Sequence, residues 1–498
     1  MNSPASLKHA RRALISLAAI AGAIFTVGCG SNGSRITPLG GTFSRASLRG
    51  QYILTQTGTG VNVATGTSVD PFSETTIFTA DGAGNLNVTV DDFNQGGQFL
   101  APTTLPETGT YSISSDGTGS LNFGGASFAI TMIDDSHFYV MEQDVFATSS
   151  GYGQLQDTTA FVGPPSGTFV FKAHRLSGSS RVGEMTIGAG VISGTEDLLD
   201  IGITSTSAAI STSLGMTTPN SSGEGTFTLS DSTSFNYYVV NANQFDFMSN
   251  TGSLEIGTAE MQSGTFSLAT MAAGSSYVFG SSGDTTVSGP GGIHSAGVFT
   301  ADGAGNITGG TVDFVQDATL NSDLTVTGGT YTLASNGRGV LNLTLSGGTI
   351  SPQIFWMVNS SQAFFLVNSG AGVEDGTYTL QTGAPFSALT SQAAFNMDGF
   401  DSGGLKDRVG VFSPTGSGTL DWKQASNSFL PSSGTGVVST LGTTGTYQVS
   451  ANGRVTATIN NVNAGSPGMV FYLSSPNTGV MVEEDSNVGG SFAQQATQ

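Results

Sequence analysis

From Leu48 onward, apolar residues alternate with Ser, Thr, Asn and Gly instead of recurring at helical spacing. Leu86, Val88 and Val90 fall on one face of such a run, and Asn87, Thr89 and Asp91 on the other. Leu341, Leu343 and Leu345 alternate with Asn342 and Thr344 in the same way. A period of two with polar partners predicts antiparallel sheet that is apolar on one face and wet on the other. Helical periodicity is confined to the first 28 residues.

The runs are punctuated by Phe78-Thr79-Ala80-Asp81-Gly82-Ala83-Gly84-Asn85, which returns unchanged over residues 299–306. Asp-Gly between alternating segments signals a hairpin tip, because both positions favour positive φ. The second glycine, Gly84 or Gly305, suits a left-handed or bulged residue that restores strand twist. Asp81, Gly82, Gly84, Asp302, Gly303 and Gly305 are thus expected to be structural turn residues. A second tip, residues 109–117, is echoed at 329–337 and 445–453. In the first unit strands are predicted near 50–57, 74–80, 85–93, 108–115, 119–124, 127–133, 137–143 and 151–156.

These landmarks recur in four units. Each is expected to open on Gly or a substitute, one residue, then an aromatic: Gly50 to Tyr52, Gly167 to Phe169, Gly264 to Phe266 and Ala384 to Phe386. Each closes on Gly with Gln five residues later: Gly151 and Gln156, Gly257 and Gln262, Gly376 and Gln381, Gly490 and Gln495. Tandem duplication follows, with units at 48–156, 166–262, 263–381 and 384–495. An even-numbered meander with short joins closes naturally into a barrel, which leaves no exposed edge. The expected fold is all-β, a tandem of antiparallel up-and-down β-barrel-like units. The alternative is a row of immunoglobulin-like β-sandwiches, which needs long Greek-key crossovers that are scarce here. The Gly-x-aromatic opening is similar to that of lipocalin- and avidin-like barrels.

Composition sharpens this picture. Glycine is 72 of 498 residues and charged residues are 10%, against usual shares of about 7% and about 25%. With Lys8, Arg11 and Arg12 set aside as part of a leader without acids, 14 − 3 leaves 11 bases against 35 acids, or −24. Such a balance repels nucleic acid and anionic lipid surfaces. No nucleic-acid partner is expected.

Residues 1–28 have the form of an export signal. Lys8, His9, Arg11 and Arg12 precede an uncharged apolar run, Ala13 to Val27, that is short of the ~20 residues a membrane span needs. The run ends in Phe25-Thr26-Val27-Gly28-Cys29, and Cys29 is the only cysteine. No intramolecular disulfide can form, so the fold rests on packing. This stretch resembles the lipobox of bacterial lipoproteins, with Thr26 in place of the commoner leucine. With the repeats behind it, the chain resembles the uncharacterised tandem-repeat lipoproteins of bacterial envelopes. The resemblance implies lipidation of Cys29 (the palmitate-type anchor of such proteins) and, because Gly30 is not aspartate, the outer membrane. Residues 29–47, rich in Ser, Gly, Thr and Pro, read as a flexible tether.

Candidate chemistry is sparse. His137, His174 and His294 stand in different units without a shared spacing, and with no cysteine beside them a zinc site is not expected. No Gly-x-Ser-x-Gly elbow or recurring Ser, His and Asp set occurs, and Gly303-Ala304-Gly305 opens no helix as a phosphate loop would. Asp81 and Asn85 offer too few oxygens for a calcium loop. Asp91-Asp92, Asp134-Asp135 and Glu483-Glu484-Asp485 read as solvated charge at strand ends; Asp92-Phe93 alone has a counterpart, Asp313-Phe314. Trp356 and Trp422 are open to either a core or an exposed role. The expectation is a non-catalytic envelope protein without metal or cofactor, bound to the membrane by its N-terminal lipid. Its role would be adhesion, scaffolding or binding of an unknown protein, glycan or small ligand. The alternatives are a carrier of small apolar ligands inside the barrels and, third, an envelope enzyme.

Overall fold

Each alternating run is a strand, and each strand pairs antiparallel with its neighbours in sequence. The computed structural model describes residues 43–496 except 63–64, 67–68, 101–104, 177, 201–202, 286–291, 317–318, 368–371, 402–403, 417, 463–467 and 485. The leader, Cys29 and the tether up to residue 42 lie outside the described residues.

In the first unit the strands are Arg49–Val61, Val69–Asp81, Asn85–Gln95, Glu107–Ile113, Thr118–Phe123, Ala126–Met132, His137–Glu142 and Ala147–Leu155, with Gln98–Leu100 as a short extension. The first strand pairs with the second and with the last, Tyr52 lying against both Phe78 and Leu155, so the sheet closes on itself. Rings of the same order form over residues 167–261, 276–380 and 393–494. The protein is therefore four antiparallel eight-stranded up-and-down barrels in tandem, and the sandwich alternative is set aside.

The interiors are filled by aromatic side chains. Phe279, Phe299, Phe365 and Tyr378 interlock in the third barrel, the last two stacked at 4.4 Å. In the fourth, the fully buried Trp422 stacks on Phe395 at 4.2 Å. The recurring closing glycine has a steric cause. A Cβ on Gly376 would lie 2.2 Å from the Gly280 carbonyl and 2.7 Å from the Phe365 ring, and one on Gly490 would lie 1.9 Å from the Asn396 carbonyl. First and last strands can meet over a filled core only where that side chain is missing.

Two sequence expectations need correction. The Gly-x-aromatic openings are not all equivalent: Tyr52 and Phe169 lie on first strands, but Phe266 and Phe386 precede theirs. The structural counterparts of Phe266 and Phe386 are Phe43 and Phe161. Each of these four rings closes one end of a barrel by packing on the glycine of the second hairpin tip, 2.7–3.3 Å from a Cβ built on Gly117, Gly223, Gly337 or Gly453. Residues 43–47 therefore belong to the first barrel, with Phe43 2% exposed. Two similar segments, residues 41–48 and 264–271, which both begin Gly-Thr-Phe-Ser, carried that signal.

The second correction concerns Val90. A register shift between Ile77 and Phe78, which pair with Val90 and Val88, takes residue 90 off the inner face. Leu86 and Val88 stay in the first barrel's core, while Val90 joins Ile53, Ile77 and Tyr238 outside it. The outer faces are accordingly not uniformly wet, and their apolar parts define the assembly.

Candidate functional site

The outer face of the first three strands of each barrel packs on the sixth to eighth strands of the next. Ile53, Ile77 and Val90 meet Tyr238, Val240 and Met248. Val170, Val182 and Leu199 meet Ile354, Trp356 and Leu366, and Val278, Ala296 and Val298 meet Val470, Tyr472 and Val482. Ala394 and Val409 of the fourth barrel then meet Ala129, Tyr139 and Met141 of the first. A head-to-tail contact that returns to its start is a closed ring.

The closing glutamines are the stitches of that ring. The amide of Gln156 donates to the carbonyls of Val239, at 2.6 Å, and Ser222, at 3.4 Å. Gln262 reaches Met357 and Asn336 at 2.8 and 3.0 Å, and Gln381 reaches Leu473 and Asn452 at 2.7 and 2.9 Å. Gln495 completes the circuit on Met132 and Asp116 at 2.6 and 3.2 Å. Asn94 and Asn427 add a second device. Each gives its amide to three carbonyls of the next barrel, Ser249, Thr251 and Ser253 or Glu142, Asp144 and Ala147. Carbonyls that strand ends leave over are thereby satisfied across the seams.

Ion pairs fix three seams, the one between the fourth and first barrels through Lys423 and Asp116 at 2.5 Å. Asp197 accepts from Arg338 at 2.7 Å and from the indole of Trp356 at 2.8 Å. Asp313 accepts from Arg454 at 2.6 Å and from Tyr472. Trp356 is thus a seam residue, not an exposed platform. Asp92, equivalent to Asp313, is also buried, which corrects its reading as solvated charge. It accepts from Asn236 and Tyr238, both at 2.6 Å. Where the second and third seams place Arg338 and Arg454, the first seam has Glu224. Burial raises the Asp92 carboxyl against those hydrogen bonds, and burial with the neighbouring Asp92 pushes Glu224 up to about 7. Glu483, also expected in solvent, lies inside the fourth barrel against Arg408 at 2.8 Å.

A polar well runs where the four barrels face one another. Three adjoining hollows of about 450, 450 and 490 Å³ all have Asp375 in their walls, and Lys172, His174, His294, Asn396 and Asp398 each line two of them. His174 Nδ1 lies 2.9 Å from Asp375 Oδ1. Burial would raise Asp375, but the hydrogen bond and charge of His174 bring it below the ordinary value. Asp398 is raised by burial, with His294 and His174 opposing. Asp407 is pushed up to about 8 by burial and by Asp398, while Thr148 donates to it. The sequence separated His174 from His294; the ring brings both to one cavity. Thr57, His174, Ser282 and Asp398 hold equivalent places, each two residues beyond Thr55, Lys172, Gly280 and Asn396 on a first strand. Counting back from the closing glycine reveals that phase. His137 lies elsewhere, 3.0 Å from Asp134 and stacked over Tyr152. Among the described residues no group of three or more His, Asp or Glu is arranged to hold a metal.

The Asp-Gly tips are self-contained. Asp81 Oδ1 accepts the backbone N–H groups of Ala83, Gly84 and Asn85, and Asn85 donates its amide to Oδ2 at 2.6 Å. Asp302 repeats this with Ala304 and Asn306. Gly82, Gly84, Gly303 and Gly305 all have positive φ, from 75° to 115°. The hydrogen bonds of Asn85, first among the causes, hold the Asp81 carboxyl down at about 2.

No protein-family model matches the chain, and no curated protein does. Among solved structures it is similar to transferrin binding protein B from Haemophilus parasuis Hp5, a Tyr-167-Ala and Trp-176-Ala double mutant. The identity is 8%, covering 66% of this chain and 75% of that one, with a TM-score of 0.19. The isotype 1 protein from serogroup B Neisseria meningitidis matches at 8% identity over 67% and 75%, with a TM-score of 0.20. Likeness at this level says nothing about what this chain binds.

Proposed function

We propose that this chain is an exported, lipid-anchored envelope protein whose barrels form one rigid, non-catalytic binding platform. The observation that supports it is the closure of the ring: Gln495, at the far end of the chain, stitches the fourth barrel to the first. A string of independent modules needs no such bond, whereas a platform that presents its outer loops in fixed relation does. The filled interiors argue against general carriage of apolar ligands in the barrels. Cys29 provides attachment, and the partner is a protein or glycan met at the surface.

The test is expression of the protein and its Cys29→Ala form in a bacterial host with labelled fatty acid. Label and membrane fractionation are expected for the parent chain, and release of an unlabelled, folded protein for the variant. Equal label in both would overturn the anchoring. Protease fragments that separate into single barrels under native conditions would overturn the platform.

A further inference from the structure

The four barrels share one interior level at which their cores turn polar. Gln56, Ala173, Ser281 and Met397 occupy equivalent first-strand positions, each opposite the closing glycine of its barrel. Their second-strand partners are Glu74, Arg181, Ser295 and Arg408. In the second barrel Arg181 neutralises Glu255 and Glu196, at 2.6 and 3.2 Å. In the fourth, Arg408 meets Glu483. In the first, Glu74 accepts from Gln56 at 3.0 Å, and Phe72, Phe93 and Leu100 pack that end.

The third barrel departs from this pattern. It keeps an inward acid, Glu374, at the place of Glu255, but Ser295 stands where the arginine would be. Ser281 and Ser295 both donate to Glu374 Oε1, the latter at 2.6 Å, which leaves Oε2 for another donor. The missing arginine also leaves space. A cup of about 240 Å³ opens above Glu374, walled by Phe279, Ile293, Val312, Phe314 and Val367. Glu374 is 6% exposed. A buried carboxylate without a counter-ion is costly, and an apolar cavity of about 150 Å³ already takes benzene.

We propose that this cup binds a small organic cation, a single-ring or short aliphatic ammonium whose charge takes the place of the absent arginine at Glu374. The apolar body lies against Phe279 and Phe314, and the ammonium donates to Glu374 Oε2. This inference does not rest on lipid anchoring or on the platform reading, and it concerns the described interior of one barrel.

The experiment is calorimetric titration of the full folded chain with benzylamine and with benzyl alcohol, its neutral counterpart. Benzylamine is expected to bind about 10-fold or more tightly than the alcohol, the margin of one charge-assisted hydrogen bond. Glu374→Gln removes that margin while circular dichroism stays unchanged. Ser295→Arg supplies the internal partner found in the second and fourth barrels and abolishes binding of both probes. Equal affinity for the two probes would overturn the proposal without any variant. So would benzylamine binding that survives Glu374→Gln, or no binding of either probe at millimolar concentration.

Discussion

Gln495 donates its amide to the carbonyl of Met132 at 2.6 Å, across 363 positions of sequence. The bond repeats what Gln156 does to Val239 between consecutive barrels. A motif that looked like a mark of duplication is the bond by which one copy holds the next. Its last instance holds the first copy to the last.

Gln495→Ala therefore opens one seam without touching any barrel core. The Met132 carbonyl loses its donor and the Asp116 carbonyl keeps only that of Gln392, at a cost of about 1–3 kcal/mol. The expected result is a lower thermal midpoint and new protease sensitivity where residues 116 and 132 meet the C-terminal strand. A midpoint equal to that of the parent chain would show that the other contacts suffice.

Stability should depend on pH through the raised carboxyls. Glu224 and Asp246 are pushed up to about 7 and Asp407 to about 8, each chiefly by burial. Such groups bind protons more tightly folded than unfolded. Their contribution is complete below the unfolded carboxylate range and is lost as pH rises through the folded values. Acids held low, such as Asp375 and Asp116, act only at lower pH. The thermal midpoint should fall between about pH 5 and pH 9, and Glu224→Gln should flatten part of that slope. A midpoint that rises over this range would contradict the buried acid pair at the first seam.

A barrel cut out as residues 263–381 keeps its core but bares two apolar faces. One carries Ile354, Trp356 and Leu366, the other Val278, Ala296 and Val298. It should show a β-type circular dichroism spectrum and unfold cooperatively, yet associate in sedimentation experiments. Arg338 loses nothing but its partner Asp197, so Arg338→Ala should affect the excised barrel far less than the full chain. A strictly monomeric fragment would mean that the seams are weaker than their burial implies.

The Asp-Gly tips should ignore calcium. Asp81 and Asp302 already spend their oxygens on their own loops, so midpoints with chelator and with millimolar calcium should agree. Asp81→Ala should lower the midpoint equally in both. A rise with calcium that the substitution removes would mark a metal loop.

Much of the architecture was legible because strand periodicity, Asp-Gly turns and small residues at tight approaches are local requirements. Alternation gave the strands of each unit and the closing glycines gave the phase. What lay beyond the sequence depended on which outer faces meet. The extra residue that turns Val90 outward is a matter of pairing register, and no single strand displays it. Asp92 and Asp313 looked alike on paper, yet Glu224 faces one and Arg454 the other. His174 and His294, in separate units, share a well only because the barrels pack against one another. The cup at Glu374 exists because an arginine present in two copies is Ser295 in a third, and the loss becomes space only inside a closed barrel. Local rules decide each barrel; long-range packing decides which of its polar residues are buried and what they face.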